Sequence, residues 1–386
     1  MAARIVPVGG TIGILGGGQL GRMMALAGRA MGLNTIVWDP QPNGPAHEIA
    51  GQVITAGFDS EDALWRFAEG VDVATYEFEN VNYETTARLS RLKPVFPPPD
   101  LLYASQNRLR EKDRARQFGL ATTTYRAVSS DQEARQVAST VGLPGILKTV
   151  SGGYDGKGQF AVNVIDDAGA GFQTLHVGDP LIYEKKVAFA KEISVVVARD
   201  QSGRVQTFPA SENHHDQGIL DWTVVPARVP DPIQKLALHQ SASMAEGLEL
   251  VGVMALEFFV TTEGELLFNE MAPRPHNSGH WTIEGAWPSQ FTQHMRAVAG
   301  WPVASPRVVG PCVMLNLLGD LFLEDLDGLT RVLDWPGVQL HWYGKTEMRK
   351  GRKVGHVTVL ADSVGEAIQR AREVKVALGG VWHDGA

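Results

Sequence analysis

Short apolar runs alternate with amphipathic segments in the first quarter of the chain. The runs have the length of buried strands, and in the amphipathic segments the apolar residues recur every three or four positions, as in a helix. Strands are expected at residues 11–15, 35–38 and 71–76, and helices at 22–31 and 60–69. This alternation predicts an α/β unit with a parallel sheet. The run Pro97-Pro98-Pro99 predicts a stiff, extended connector at its end.

A change of pattern after the prolines predicts a second unit of the α+β class. Helices are expected at residues 101–118, 130–141 and 232–248. Strands are expected at 145–150, 159–164, 181–186, 193–198, 205–210, 251–260 and 265–269. Trp301-Pro302 marks a further boundary, and a small strand-rich module with a closing helix at 364–377 follows it. The predicted domains are residues 1–104, 105–300 and 301–386.

The composition is that of an ordinary globular protein and narrows the possible partners. The 386 residues include 35 Lys and Arg against 43 Asp and Glu, a formal net charge of −8. Nucleic acids and anionic membranes need a broad basic surface, so neither is expected as the main partner. No apolar run reaches the roughly 20 residues of a membrane span, and no targeting segment is visible. The single Cys312 excludes an internal disulfide, so we expect a cytoplasmic protein.

The turn after the first strand contains a G-x-G-x-x-G pattern. It is formed by Gly16, Gly18 and Gly21, and Asp39 ends the next strand. A dinucleotide would place its phosphate on the N–H groups of this turn and its ribose on Asp39. The same glycines are equally expected where a strand turns tightly into a helix, so the pattern leaves both interpretations open.

A second glycine cluster lies between two predicted strands. Lys148 ends the first strand, and the loop SGGYDGKGQ at residues 151–159 leads into the second. A Walker A loop needs Ser or Thr after Gly-Lys and a helix beyond it, and this loop has neither. Its glycines and lysine fit a flap that closes over phosphates. The alternative is a plain hairpin turn, which rarely needs so many glycines.

Two glutamates are predicted to face each other on the next hairpin. If Glu263-Gly264 is a two-residue turn, counting back along both strands places Glu257 opposite Glu270, at about 5 Å. Such a pair favours a bridging cation with a preference for oxygen ligands, which indicates Mg²⁺. Asn269 is near enough to help through an altered backbone. The alternatives are one protonated and one ionised carboxyl, or a register shifted by one residue.

Three further groups of polar residues are candidates for binding or catalysis. Prolines on both sides of Arg274 exclude a helix, so Arg274 and His276 are expected on a rigid loop suited to an oxyanion and a proton. His214 and His215 are adjacent, so at most one is expected to serve the site. The run KTEMRKGRK at 345–353 is either a solvated turn or a phosphate-monoester site.

These motifs together resemble the ATP-grasp superfamily and, within it, the N5-carboxyaminoimidazole ribonucleotide synthetases. The resemblance covers nearly the whole chain and rests on GGGQLGRM at 16–23, TYEFENV at 75–81, SGGYDGKGQ at 151–159, ENHHDQGIL at 212–220, NEMAPRPHNSGH at 269–280 and GRKVGH at 351–356. Biotin carboxylases have a different pattern after the metal glutamate. The resemblance implies a Rossmann-like pre-ATP-grasp domain, a central ATP-grasp domain and a small strand-rich C-terminal domain.

The resemblance also implies a reaction and a set of site residues. ATP, bicarbonate and 5-aminoimidazole ribonucleotide would give N5-carboxyaminoimidazole ribonucleotide, ADP and phosphate through carboxyphosphate, in a homodimer of purine biosynthesis. The implied ATP contacts are Arg108, Lys148, Gly153, Tyr154, Asp155, Gly156, Lys157, Gly158, Gln159, Glu184, Lys185, Lys186, Val187, Glu192, His215, Asn269 and Glu270. The implied Mg²⁺ ligands are Glu257 and Glu270, and the implied ribonucleotide contacts are Gln19, Glu77, Tyr154, Asp155, Arg274, His276, Lys345 and Arg352.

Catalysis is expected from the flap and the proline loop together. The hypothesis is that Arg274 holds carboxyphosphate and that Asp155 or His276 accepts the proton of the attacking amine, with Tyr154 beside them. Three alternatives remain at this stage. They are another ATP-grasp carboxylate–amine ligase, a nicotinamide-dependent oxidoreductase that uses the first glycine turn, and a non-catalytic nucleotide-binding subunit.

Overall fold

The N-terminal part of the chain is a parallel sheet with helices on both faces. The computed structural model describes residues 5–153, 157–322, 328–345 and 347–383. The first elements are β1 (Thr11–Leu15), α1 (Gln19–Ala30), β2 (Asn34–Asp39), β3 (Gln52–Thr55), α2 (Glu61–Gly70), β4 (Val73–Tyr76) and α3 (Tyr83–Ser90). The strand order is β3-β2-β1-β4, with every neighbouring pair parallel. The predicted α/β sheet is confirmed, although the pattern had not indicated β3 or α3.

The prolines are followed by two short helices rather than by one long helix. These are α4 (Pro99–Ser105) and α5 (Arg108–Gln117), so the single helix predicted at 101–118 was wrong. Asn107 separates them because its side-chain oxygen accepts hydrogen bonds from the backbone N–H groups of Leu109 and Arg110. Pro99 occupies the first turn of α4, where a missing N–H costs nothing, so the predicted connector ends one residue earlier.

A small antiparallel sheet carries the glycine flap. Its elements are β5 (Tyr125–Val128), α6 (Asp131–Val141), β6 (Gly145–Thr149), β7 (Gln159–Val162), α7 (Ile165–Leu175) and β8 (Leu181–Lys185). The strand order is β5-β8-β6-β7. Lys148 on β6 pairs with Gln159 on β7. The strands on either side of the flap are therefore paired, as the predicted hairpin requires.

A long sheet joins the middle and C-terminal parts of the chain. Its elements and their helices are β9 (Phe189–Arg199), β10 (Val205–Thr207), β11 (Ser211–Asp216), β12 (Ile219–Val225), α8 (Asp231–Gly247), β13 (Gly252–Thr261), β14 (Leu266–Ala272), α9 (Thr282–Gly285), β15 (Ala286–Trp287), α10 (Gln290–Val298), β16 (Arg307–Val308), β17 (Cys312–Leu318), α11 (Gly328–Val332), β18 (Val338–Trp342), β19 (Lys353–Leu360) and α12 (Val364–Ala377). The order along the sheet is β14-β13-β9-β11-β12-β17-β19-β18, and β10 pairs with β9.

The pairing of β12 with β17 carries this sheet across residue 300 without a break. The C-terminal strands therefore extend the middle sheet, and α12 packs over β17 with Val313, Val357, Ala371 and Val374 in a shared core. The division into three domains stays a proposal. Among the described residues, no helix combines the length and the apolar character needed to cross a membrane.

Candidate active site

One cavity of about 610 Å³ collects side chains from every part of the fold. It lies where the carboxyl end of the parallel sheet meets the flap hairpin and the long sheet. The predicted site residues that line it are Gln19, Glu77, Arg108, Lys148, Gly153, Gln159, Glu192, His215, Glu257, Asn269, Glu270, Arg274 and His276. Residues scattered over most of the sequence are thus brought to one place.

The facing glutamates are present, and a β-bulge places them. Glu257 on β13 pairs with Glu270 on β14. The assumed two-residue turn was wrong, because Thr261 N–H donates to the Glu265 carbonyl and Phe258 pairs with Phe268, a register one residue away from the prediction. A bulge between Glu257 and Phe258 leaves Asn269 as the extra residue and restores the predicted pair. The bulge also explains why Asn269 lines the cavity beside Glu270.

The surroundings shift the pKa values of the two carboxyls in opposite directions. Burial and the charge of Glu270 raise the pKa of Glu257 to about 7. The pKa of Glu270 is lowered, because Arg108, Lys148 and Lys112 outweigh its burial. Arg108 Nη1 lies 3.2 Å from Glu270 Oε2. The two facing carboxyls and the amide of Asn269 form a set of hard oxygen donors that fits Mg²⁺. Among the described residues, no group of three or more His, Cys, Asp or Glu could hold a metal ion. Phosphate and water would therefore have to supply the other ligands of a Mg²⁺ ion at this pair.

A buried carboxylate lies between two lysines, one of which, Lys148, lines the cavity. Glu184 Oε2 lies 2.7 Å from Lys148 Nζ, and Glu184 Oε1 lies 3.2 Å from Lys112 Nζ. Although burial opposes ionisation, the two lysines lower the pKa of Glu184 to about 2. Burial and the neighbouring Lys112 and Arg108 lower the pKa of Lys148 despite Glu184. One carboxylate is shared by two ammonium groups, so an incoming phosphate would complete the charge balance.

Next to the carboxylates, a histidine is paired with a glutamate. His215 Nδ1 lies 2.6 Å from Glu192 Oε2. Burial favours a neutral ring, but Glu192 and Glu257 raise the pKa of His215 to about 9. His214 instead stacks on Trp222 with ring centroids 5.0 Å apart. The expectation that at most one of the two histidines serves the site is consistent with this arrangement.

The proline loop presents an arginine with an unpaired donor. Arg274 Nη2 lies 2.7 Å from Glu79 Oε1. Its Nε is buried and has no hydrogen-bond partner among the described residues, and the same holds for Asn277 Nδ2 on the same loop. Buried unpaired donors are rare in native structures, so two of them beside one cavity indicate a place for an oxyanion.

His276 is oriented as a hydrogen-bond donor towards the cavity. Its Nδ1 accepts from the backbone N–H of Ser278 at 3.3 Å, and its Nε2 lies 3.6 Å from Glu257 Oε1. Burial and Arg274 lower the pKa of His276 well below its ordinary value. Because Nδ1 accepts from a backbone N–H, the ring is placed to carry a proton on Nε2, which favours a donor role over the predicted role as a base.

The first glycine turn is filled by a side chain of the protein itself. Glu77 accepts hydrogen bonds from the N–H of Gly18 and, at 2.7 Å, from the N–H of Gly21. Asp39 accepts from the N–H of Gly17 instead of facing a ribose. A dinucleotide phosphate would have to displace the Glu77 carboxylate, so the turn has the predicted Rossmann shape without an open phosphate site.

The basic run at residues 345–353 contacts the start of α1, next to the first glycine turn. Lys345 Nζ is 2.9 Å from Gln19 Oε1, and burial and Arg352 lower its pKa to about 8. Arg352 pairs with Glu347 at 2.9 Å and does not line the cavity. Lys353, which was not singled out, does line it. Lys353 of this run therefore lies at the cavity, and Lys345 is bonded to the lining residue Gln19.

Other predicted residues lie away from the cavity lining or outside the described residues. Lys157, Gly158, Glu184, Lys185, Lys186 and Val187 are not among the lining residues. Lys185 and Lys186 donate their backbone N–H groups to Thr124 and Pro144. Tyr154, Asp155 and Gly156 lie outside the described residues.

The sequence patterns had missed four charged residues at the site. Lys112 and Glu111 lie on α5, where a run of alternating charges looks like a solvated face. Both are buried, and burial together with the charge of Glu270 raises the pKa of Glu111 to about 8. Glu79 and Lys353 were missed although they stand two residues from Glu77 and one from Arg352. The sequence did offer a signal for Glu79 and Lys353, because they lie inside the motifs at residues 75–81 and 351–356.

Comparison with known proteins identifies the family. Family models match the ribonucleotide synthetase preATP-grasp domain at residues 10–106, the ATP-grasp domain at 113–291 and the phosphoribosylaminoimidazole carboxylase C-terminal domain at 312–370. The chain is 41% identical over 372 residues to the N5-carboxyaminoimidazole ribonucleotide synthase of Bacillus subtilis, covering 96% of each chain. The chain belongs to the N5-carboxyaminoimidazole ribonucleotide synthase family.

Solved structures of this synthase family share the fold. An ADP complex of N5-carboxyaminoimidazole ribonucleotide synthetase superposes with a TM-score of 0.91 at 41% identity, covering 97% of this chain and 98% of that one. The Aspergillus clavatus synthase in complex with ADP and 5-aminoimidazole ribonucleotide gives a TM-score of 0.89 at 28% identity, covering 96% and 99%. The family is one of ATP-grasp ligases, which confirms the predicted fold class.

Proposed function

We propose that the chain catalyses the ATP-dependent carboxylation of 5-aminoimidazole ribonucleotide by bicarbonate, giving N5-carboxyaminoimidazole ribonucleotide, ADP and phosphate in purine biosynthesis. The observation that carries the proposal is the continuity of the cavity. It joins the Lys148–Arg108 cations and the Glu257–Glu270 pair at one side to Glu77 and Gln19 at the other, with Arg274 between them in the lining. The Aspergillus clavatus relative forms a complex with ADP and 5-aminoimidazole ribonucleotide, and this supports the proposal that the two sides bind two such ligands.

The nucleotide is proposed to bind at the flap side. Phe189 and Phe259 stack at a centroid distance of 4.8 Å and line the cavity with Ile146, which provides an apolar wall for a base. Lys148 and Arg108 would meet the phosphates, and the flap residues from Gly153 to Gln159 would cover them. Mg²⁺ bound by Glu257 and Glu270 would neutralise charge on the phosphate oxygens.

The transfer step is proposed to take place next to Arg274. Bicarbonate attacks the γ-phosphorus through an oxygen, the bond to the ADP oxygen breaks, and carboxyphosphate forms. The unpaired Arg274 Nε and Asn277 Nδ2 are donors for its oxygens. The substrate amine then attacks its carbonyl carbon, or the CO₂ that it releases, and phosphate leaves. Because His276 already carries a proton on Nε2, Asp155 is the proposed acceptor of the amine's proton.

The ribonucleotide is proposed to bind at the glycine-turn side. Gln19 and Glu77 line this part of the cavity, and Lys345 is bonded to Gln19. A phosphate monoester is proposed to bind Lys345 and Arg352 just outside the cavity lining, next to Lys353, which lines the cavity. We further propose a cytoplasmic homodimer with no nucleic-acid or membrane partner, in keeping with the net charge of −8.

A coupled assay tests the proposed reaction against its alternatives. ADP release should require bicarbonate and 5-aminoimidazole ribonucleotide together, with no oxidation of NADPH. ADP release with another amine in place of the ribonucleotide would indicate a different ATP-grasp ligase, and NADPH oxidation would indicate the oxidoreductase. Failure to release ADP with both substrates present would contradict the proposal. In the same assay we expect Arg274→Ala and Asp155→Ala to lose most of their kcat for product.

A further inference from the structure

A line of buried hydrogen bonds runs through the long sheet to the back of His276. Thr223 Oγ1 donates to Asn213 Oδ1 at 3.0 Å, and Asn213 Nδ2 donates to Ser194 Oγ at 2.9 Å. Ser194 Oγ donates to Ser278 Oγ at 2.8 Å, and Ser278 Oγ lies 2.9 Å from His276 Nδ1. The four relay residues are at most 6% exposed. They lie on β12, β11, β9 and the loop after β14.

The direction of these bonds is fixed at the end next to the histidine. The backbone N–H of Ser278 is a donor and nothing else, and it points to His276 Nδ1. Nδ1 is therefore an acceptor, and the hydroxyl of Ser278 is free to donate to the same atom. Ser278 Oγ in turn accepts a hydrogen bond from the Ser194 hydroxyl, and Ser194 Oγ accepts one from the Asn213 amide. Each bond thus favours one direction of the next.

The backbone of His276 is held as firmly as its ring. Its N–H donates to Gln290 Oε1 at 2.9 Å, and its carbonyl accepts from Gln290 Nε2 at 2.7 Å. Gln290 is fully buried at the start of α10. With the backbone fixed by Gln290, only the two side-chain torsions of His276 remain, and the hydroxyl of Ser278 lies 2.9 Å from Nδ1 in the orientation that the ring adopts.

We propose that Ser278, Ser194 and Asn213 are positioning residues that hold His276 in the Nε2–H tautomer, with this N–H directed at the cavity beside Glu257. His276 then acts on the reaction as a fixed hydrogen-bond donor to a substrate oxygen. The amide of Asn213 interrupts proton conduction, so the relay sets the direction of the N–H and does not carry protons. This inference about catalysis rests on the proposed carboxylation, whereas the tautomer itself is a property of the resting protein.

The tautomer is measured directly on the full chain without substrates. Long-range ¹H–¹⁵N correlation spectra of the ¹⁵N-histidine-labelled protein, with His276 assigned by comparison with His276→Gln, should show an unprotonated Nδ1 and a protonated Nε2. The opposite tautomer in the wild-type protein would overturn the proposal, whether or not any variant folds. This measurement stays decisive even if the chain fails to carboxylate 5-aminoimidazole ribonucleotide.

Variants test whether the relay causes this state. In Ser194→Ala and Ser278→Ala we expect altered His276 ring signals and a kcat reduced about 10- to 100-fold, with the KM for ATP within twofold of wild type. Ser194→Thr restores the hydroxyl and should recover most of the kcat. The matched control is Ser241→Ala, because Ser241 is fully buried in α8 and its Oγ has no hydrogen-bond partner among the described residues. Wild-type ring signals and kcat in both relay variants would contradict the proposal.

Discussion

Glu79, which follows the last strand of the parallel sheet, lies 2.7 Å from Arg274 on the proline loop after β14. The two side chains are 25% and 16% exposed, so the ion pair is largely shielded from solvent. It connects the N-terminal sheet to the loop that carries the unpaired Arg274 Nε. Glu79 thus holds one nitrogen of the guanidinium in place, while Nε has no hydrogen-bond partner among the described residues.

Glu79→Gln should therefore impair catalysis more than nucleotide binding. Loss of the charge lets the Arg274 guanidinium turn, and misplacement of a group that orients the reactants costs on the order of 10- to 100-fold in kcat. Steady-state ADP release should show this decrease with a nearly unchanged KM for ATP. Glu61→Gln is the control, since it removes a carboxylate from the surface ion pair with Arg88. A wild-type kcat in Glu79→Gln would mean that the pair does not orient Arg274.

Glu257→Gln should weaken the use of Mg²⁺. The carboxamide keeps the shape of the side chain but removes one of the two facing negative charges, so we expect the Mg²⁺ concentration for half-maximal activity to rise at least about tenfold. Calorimetric titration of ADP with and without Mg²⁺ gives a second readout without turnover. Glu265→Gln, an exposed position on the same hairpin, should behave as wild type. Equal Mg²⁺ dependence in both variants would argue against a metal at this pair.

The carboxylate pair also shows where inference from sequence succeeds and where it stops. The pattern of residues 253–270 placed Glu257 opposite Glu270 only because two one-residue shifts cancel, the wrong turn register and the bulge that was not predicted. The bulge that corrects the turn register depends on contacts of Phe268 and Asn269 with Ala121 and Lys112, which are far away in sequence. Glu111 and Lys112 were missed for the same reason. The sequence of α5 has the charged pattern of a helix exposed to solvent, and only packing against distant parts of the chain buries these two side chains.

Glu184→Gln should destabilise the fold as well as the site. Its removal leaves Lys112 and Lys148 as uncompensated buried charges, and breaking a buried pair of this kind costs roughly 3 kcal/mol. Denaturant unfolding at pH 7 measures the difference. Glu61→Gln, at an exposed ion pair, should unfold at the wild-type midpoint. If the two variants have the same midpoint, Glu184 does not compensate the two lysines.

The same carboxylate predicts a pH dependence with a defined sign. The pKa of Glu184 is lowered in the folded state to about 2, from an ordinary value of about 4.3. The stabilisation that the ionised Glu184 gives to the folded state is therefore complete above the pKa of the unfolded chain, and it is lost as the pH falls towards 2. Between pH 6 and pH 3.5 the wild-type protein should lose more unfolding free energy than Glu184→Gln does. Parallel losses in the two proteins would contradict the lowered pKa.

Gly18→Ala should interfere with the side chain that fills the glycine turn. A β-carbon at Gly18 would stand 2.5 Å from Glu77 Oε1, which is closer than non-bonded atoms approach, so Glu77 has to leave the N–H groups of the turn. We expect a KM for 5-aminoimidazole ribonucleotide raised about tenfold, roughly 1.4 kcal/mol, with little change for ATP. Gly365→Ala is the control, because no atom lies within 4 Å of its β-carbon. An unchanged KM for the ribonucleotide would show that Glu77 is not part of its site.

The proposed homodimer can be tested at a groove lined by residues of α1, α9, β15 and α10. Leu26 and Trp287 line the groove with Phe291, and they are 45% and 70% exposed. Exposed apolar surface of this kind is typical of a surface that pairs with another protein, and a charge placed in it disfavours burial. Light scattering of Trp287→Glu should therefore give a monomer mass where the wild-type protein gives twice that mass. Trp65→Glu, which changes another exposed tryptophan at 51%, should stay dimeric. A dimeric Trp287→Glu would place the interface elsewhere, and a monomeric wild-type protein would contradict the dimer itself.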